Sequence, residues 1–162
     1  MIITFSGTDG SGKSTQIEIL MSEFIRQGFR VKYVWSRGGY TPLFSALKKI
    51  LRILTAKRLP NEGNSSSRDE LLKNKSVSGV WLTIATLDLL MFYGVYVRIM
   101  SWFGMVVVCD RYIEDTLIDF KRNFPDTFDD QSFLWRLLVL FIPRPNQSFL
   151  LFVPVDVSLI RS

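Results

Sequence analysis

The stretch that most constrains this chain is Gly7–Thr15, G-T-D-G-S-G-K-S-T. It fits the pattern G-x-x-x-x-G-K-[ST], with Gly7, Gly12, Lys13 and Ser14 in the fixed places. Glycines let the backbone bend so that several N–H groups point inward at one anion. Lys13 adds a point charge beside the terminal phosphates of a nucleoside triphosphate, and the Ser14 hydroxyl suits Mg2+. With Gly10, Ser11 and Thr15, these residues form a candidate binding set for the phosphates of ATP. Such a loop needs a strand before it and a helix after it. Met1-Ile2-Ile3-Thr4-Phe5 is a short apolar, β-branched run suited to a buried strand. Ile17, Leu20, Met21, Phe24 and Ile25 then fall on one helical stripe, and Gly28 follows as a C-terminal cap. That helix starts at the phosphate, so its positive dipole end faces the charge.

Composition narrows the classes. A chain of 162 residues, 48% apolar and 22% charged, is expected to form one globular domain. A net charge of +5 suits phosphate-bearing ligands but is too small and scattered to imply nucleic acid. Cys109 is the only cysteine, which excludes an internal disulfide, and it reads as core filler rather than as a nucleophile. The absence of histidine excludes His-based triads and argues against zinc. Val80–Val97 carries a single charge, Asp88. A membrane span needs about 20 apolar residues. A carboxylate near its centre costs roughly 3 kcal/mol. A buried helix is therefore expected, with Asp88 either satisfied in the core or facing an acceptor. Met1–Phe5 is too short for a signal peptide and leads straight into the glycine loop, so the expected location is the cytoplasm.

Further along, Arg30–Trp35 reads as a second strand. Thr41 and Pro42 open a helix with an apolar stripe at Leu43, Phe44, Leu47, Ile50, Leu51 and Leu54. Its Lys48, Lys49, Arg52, Lys57 and Arg58 supply a basic face and tail, which reads as a solvated face before a membrane-surface or nucleic-acid contact. Pro60–Arg68 is a polar, turn-rich loop. A long apolar helix is expected from Ser78 to Phe103, ended by Gly104. Met105–Cys109 is a third strand with Asp110 at its carboxyl end. Asp115–Asn123 is expected to be helical, Pro125–Asp130 a turn, and Phe133–Ile142 a helix stopped by Pro143. Ser148–Val153 is a fourth strand, and a helix begins at Pro154. Strands alternating with helices predict a P-loop three-layer α/β/α fold, with a mainly parallel sheet of about four strands. Such sheets bind ligands beyond the carboxyl ends of their strands. The glycine loop, Arg37, Asp110 and Arg111 all follow strand ends. Asp110 is a candidate second Mg2+ group beside Ser14, and Arg111 can grip a phosphate bidentately.

Gly7–Gln16, the D-R-Y at Asp110–Tyr112 and the loose stretch Arg144–Arg161 resemble thymidylate kinases of the nucleoside monophosphate kinase group over essentially the whole chain. The resemblance implies transfer of the ATP γ-phosphoryl to a nucleoside monophosphate. It implies a catalytic set of Lys13, Asp110 and Arg111, Mg2+ at Ser14 and Asp110, and acceptor contacts from Asp9, Arg37, Arg111 and Tyr112. The implied partners are small-molecule nucleotides, with neither nucleic acid nor membrane and with a homodimer left open. The chain also departs from the family. Ser36-Arg37-Gly38-Gly39-Tyr40 lacks the acidic residue and proline of the usual R-E-P-G. The places of the family's thymine-stacking Phe and thymine-bonding Arg hold Ala85 and Leu89, and the Gln expected after D-R-Y falls near Phe120. The family continues past the position of Arg161 with an arginine-rich lid and a fifth strand, so the resemblance implies a C-terminally incomplete domain. The second reading is a non-enzymatic or degenerate nucleotide-binding domain. A GTPase is disfavoured, since Asn74-Lys75-Ser76-Val77 lacks the Asp of the guanine motif.

Overall fold

A computed structural model of the chain describes residues 1–8, 10–35 and 75–154. Four strands, β1 (Ile2–Gly7), β2 (Val31–Trp35), β3 (Val106–Asp110) and β4 (Gln147–Leu151), form one sheet in the order β2-β3-β1-β4. Every neighbouring pair is parallel. The apolar run of β3 is buried at all five residues because β3 lies between two strands and two helical layers. The edge strands β2 and β4 are largely exposed.

Alternation along the two central strands sends side chains to opposite faces. Ile3, Phe5, Val106 and Val108 pack on helix α1 (Lys13–Arg26) through Ile17, Leu20, Met21 and Phe24. Ile2, Val34, Val107 and Cys109 face the other layer. That layer holds a long helix, running as α2 (Lys75–Met91), a π-helical segment (Phe92–Val97) and α3 (Arg98–Trp102). It also holds α4 (Ile113–Asn123) and α5 (Phe133–Phe141), through Phe120, Trp135 and Leu138. The fold is thus α/β with helices on both faces of a parallel sheet. Each fully buried Val or Leu here contributes about 1.5–3 kcal/mol.

Val77–Trp102 is long and apolar enough, by length and composition alone, to cross a membrane. In this structure its Leu82, Ala85, Leu89, Tyr93 and Val97 join the core. The last four lie four residues apart, and repeated steps of four drift off a 3.6-residue turn. The wider π-helical turn absorbs that drift and keeps Tyr93 and Val97 inward, both fully buried. Asp88 is also buried, at 3% exposure.

The boundaries shift from the sequence reading for identifiable reasons. The long helix begins at Lys75 rather than Ser78, and the Ser78 hydroxyl lies inside its first turn, donating to the Lys75 carbonyl at 3.1 Å. Helix α4 begins at Ile113 because the Asp115 carboxylate accepts from the Tyr112 N–H at 3.1 Å, capping the first turn. Strand β4 stops at Leu151, where its pairing partner Gly7 ends β1. The expected helix from Thr41, the Pro60–Arg68 loop and the helix after Pro154 lie outside the described residues.

Candidate functional site

The carboxyl ends of β1 and β3 are adjacent, with Phe5 paired to Asp110. The chain leaves β1 for α1 on one face and leaves β3 for α4 on the other. A crevice opens where such connections diverge. It is a cleft of about 490 Å3 lined by the loop Gly10–Thr15 together with Trp35, Asp110 and Arg111.

The loop takes its shape from glycine. Gly7, Gly10 and Gly12 have φ of 144°, 75° and 83°, values that side chains disfavour. The Ser11 N–H donates to the Thr8 carbonyl at 3.3 Å. Gly12 caps α1, whose first turn holds no acidic side chain, so its positive end is not neutralised from within. The Lys13 ammonium donates to the carbonyls of Gly7 at 3.0 Å and Thr8 at 2.6 Å, folded over its own loop. Ser14 and Thr15 are exposed in the first turn of α1.

Two buried side-chain oxygens at the cleft have no hydrogen-bond partner among the described residues: Ser11 Oγ and Asp110 Oδ1. Buried polar groups are ordinarily paired. The hydroxyl can donate to an anion, and the carboxylate oxygen can accept a cation. Asp110 and Ser14 are hard oxygen donors on the same cleft, a set that fits Mg2+ arriving with phosphate and keeping several waters. No group of three or more His, Cys, Asp or Glu forms a protein metal cage among the described residues.

Asp110 is held from the side. The Tyr33 hydroxyl, on the neighbouring strand β2, donates to Asp110 Oδ2 at 2.9 Å. Burial, then this hydrogen bond and the negative charge of Asp110, push the Tyr33 phenol up to about 12. Arg111 is the one non-glycine residue with positive φ (75°) among the described residues. Its N–H donates to the Phe5 carbonyl at 2.8 Å, and the Tyr93 hydroxyl donates to its carbonyl at 3.4 Å. A non-glycine residue there costs on the order of 1–3 kcal/mol, and such strain clusters at functional sites. The Asp115 carboxylate joins the two sides of the crevice. Its Oδ2 accepts from the Ser6 hydroxyl at 2.5 Å as well as from Tyr112 N–H.

One expectation needs correction. Tyr112 does not reach the cleft: it is 1% exposed, its hydroxyl donates to the Pro143 carbonyl at 2.6 Å, and its ring lies edge-on to Tyr93. Burial pushes its phenol well up, and it pushes the Cys109 thiol up to about 12. Ala85 and Leu89 are fully buried in the core and do not line this cleft. Asp9 and Arg37 lie outside the described residues. Tyr33, Trp35 and Asp115 belong to the site or its support, and the sequence reading assigned them no role. Their signals were a pair of aromatics two residues apart at the carboxyl end of a strand, and an acid three residues after Tyr112 at a helix start.

No protein-family model matches the chain. It is 30% identical to the thymidylate kinase of Symbiobacterium thermophilum over 73% of the chain and 47% of that protein. It is 28% identical to the thymidylate kinase of Geobacter sulfurreducens over 99% of the chain and 66% of that protein. The chain therefore spans less than two thirds of the length of either relative. The crystal structure of thymidylate kinase from Ehrlichia chaffeensis shares its fold, with a TM-score of 0.52 over 99% of this chain and 79% of that one, at 23% identity. Together these likenesses support a thymidylate kinase family assignment.

Proposed function

We propose that this chain is an ATP-dependent phosphotransferase of the thymidylate kinase type. It moves the γ-phosphoryl of Mg-ATP to a (deoxy)nucleoside monophosphate or a similar small phosphorylated acceptor, in the cytoplasm. The observation that carries this reading is the convergence of Gly10–Thr15, Asp110 and Arg111 on one cleft at the carboxyl ends of β1 and β3.

An oxygen of the acceptor phosphate attacks the γ-phosphorus, the bond to the β–γ bridging oxygen breaks, and ADP leaves. Little covalent chemistry falls to the protein, and the rate depends on positioning and on charge stabilisation. The loop N–H groups and Lys13 hold the donor phosphates, Lys13 exchanging its carbonyl partners for phosphate oxygens. Ser14 and Asp110 would hold Mg2+, which would supply charge neutralisation of the donor phosphates. Arg111 holds the acceptor phosphate, and its backbone φ fixes where the guanidinium emerges. Asp9 and Arg37 complete the acceptor side of the reading.

The test is ADP release with Mg-ATP and a panel of monophosphates. Turnover with at least one acceptor that fails in Lys13→Ala and Arg111→Ala supports the reading. Tight Mg-ATP binding without turnover on any acceptor would instead identify a non-catalytic nucleotide-binding domain.

A further inference from the structure

We propose that Tyr33 is a positioning residue for Asp110: it fixes which carboxylate oxygen is left for a divalent cation accompanying the triphosphate. The proposal rests on the Mg-ATP reading of the cleft and adds to it a residue outside the glycine loop and the D-R-Y turn.

The geometry is specific. Tyr33 pairs with Val108 across the β2–β3 ladder, two residues before the Trp35–Asp110 pair. Residues two apart on a strand share a face, so the Tyr33 ring runs alongside the end of β3. Its hydroxyl donates to Asp110 Oδ2 at 2.9 Å. The other oxygen, Oδ1, is buried and without a hydrogen-bond partner among the described residues. One carboxylate oxygen is therefore occupied and the other is not, on a residue that lines the cleft with Ser14.

A lone carboxylate rotates about its terminal torsion with a broad preference. A single donor on Oδ2 removes that freedom and commits Oδ1. Groups that hydrogen-bond a metal-ligating side chain orient it, and their loss costs about 10–100-fold in metal affinity. A tyrosine suits the task because its only polar group is one hydroxyl on a rigid ring.

The experiment is calorimetric binding of ATP to the full chain, once in EDTA and once in saturating Mg2+, for wild type and Tyr33→Phe. The ring is kept and only the hydroxyl is lost, and thermal unfolding in EDTA checks that the variant folds as wild type does. The readout is the ratio of ATP affinity with Mg2+ to affinity without it. The ratio is expected to fall about tenfold or more in Tyr33→Phe, with affinity in EDTA unchanged. Asp110→Asn should lower the same ratio at least as far. An unchanged ratio in Tyr33→Phe overturns the proposal. Equal weakening with and without Mg2+ also overturns it, since that is the signature of a general scaffold residue. Failure of wild type to bind ATP in either buffer is a different result: it contradicts the triphosphate reading itself and removes this proposal with it.

Discussion

A Cβ placed on Gly7 would lie 2.1 Å from the carbonyl oxygen of Leu151, its partner on β4. That atom belongs to the backbone of a paired strand, so the contact can be relieved only by moving β4 or the glycine loop. Gly7 also has φ of 144°, which alone costs a side chain on the order of 1–3 kcal/mol. Gly7→Ala is expected to lower the stability by more than about 3 kcal/mol. Gly28→Ala is the matched control: φ is 86° there, but a Cβ meets nothing within 4 Å. It should lose only about 1–2 kcal/mol, the cost of left-handed backbone. Urea unfolding of the two variants makes the comparison, and equal losses would contradict the close approach of β4 to the loop.

Arg111 combines a left-handed backbone with a guanidinium at the cleft. Both Arg111→Ala and Arg111→Gly remove the guanidinium, but only alanine keeps the steric penalty. Arg111→Gly should be more stable than Arg111→Ala by about 1 kcal/mol, while both lose acceptor use to the same extent. Thermal unfolding and acceptor KM measured on both variants separate strain from function. Equal stabilities would remove the strain argument.

Cys109 is fully enclosed in the core, and burial holds its thiol up to about 12. A thiol-specific disulfide reagent at pH 8 should leave the native protein unmodified and label it only upon unfolding. The stability contributed by the neutral thiol is present in full below the unfolded thiol's ordinary range and is lost as pH climbs towards 12. Rapid labelling of the native protein would contradict this burial.

Ala85 and Leu89, at the places where the resemblance implies thymine-reading residues, lie in the core and carry no side-chain group that could hydrogen-bond a base. Large discrimination needs hydrogen bonds to the substrate. Competition between dTMP and other monophosphates should show less than about a tenfold preference. A strong dTMP preference would mean that other residues recognise the base.

The sheet and the glycine loop were legible because their signals are local. Ile2 to Gly7, the loop spacing and the stripe from Ile17 need only neighbouring residues to be read. The run Val106–Asp110 was legible because a strand buried on both faces is apolar throughout. What stayed hidden depends on register between distant strands. The Tyr33–Asp110 hydrogen bond exists because β2 pairs with β3, a crossover that no local pattern reveals. Tyr112 looked like a site residue because it follows Asp110 and Arg111. The turn at Arg111 instead sends its side chain inward to Tyr93 and Pro143. The π-helical turn at Phe92–Val97 was equally hidden, since it answers to the core spacing of Tyr93 and Val97 rather than to any residue that breaks a helix.

In the proposed function, the cleft at Gly10–Thr15 holds a magnesium nucleoside triphosphate through Lys13. In the structure, the ammonium donates to the Gly7 and Thr8 carbonyls, which phosphate oxygens would replace in the proposed complex. Hydrogen bonds to charged groups contribute about 1.5–3 kcal/mol each. Isothermal titration of wild type and Lys13→Ala with Mg-ATP is therefore expected to show saturable binding to wild type, weakened at least tenfold in the variant, with circular dichroism confirming that the variant is folded at the titration temperature. Equal affinity in the two proteins would contradict triphosphate binding through Lys13.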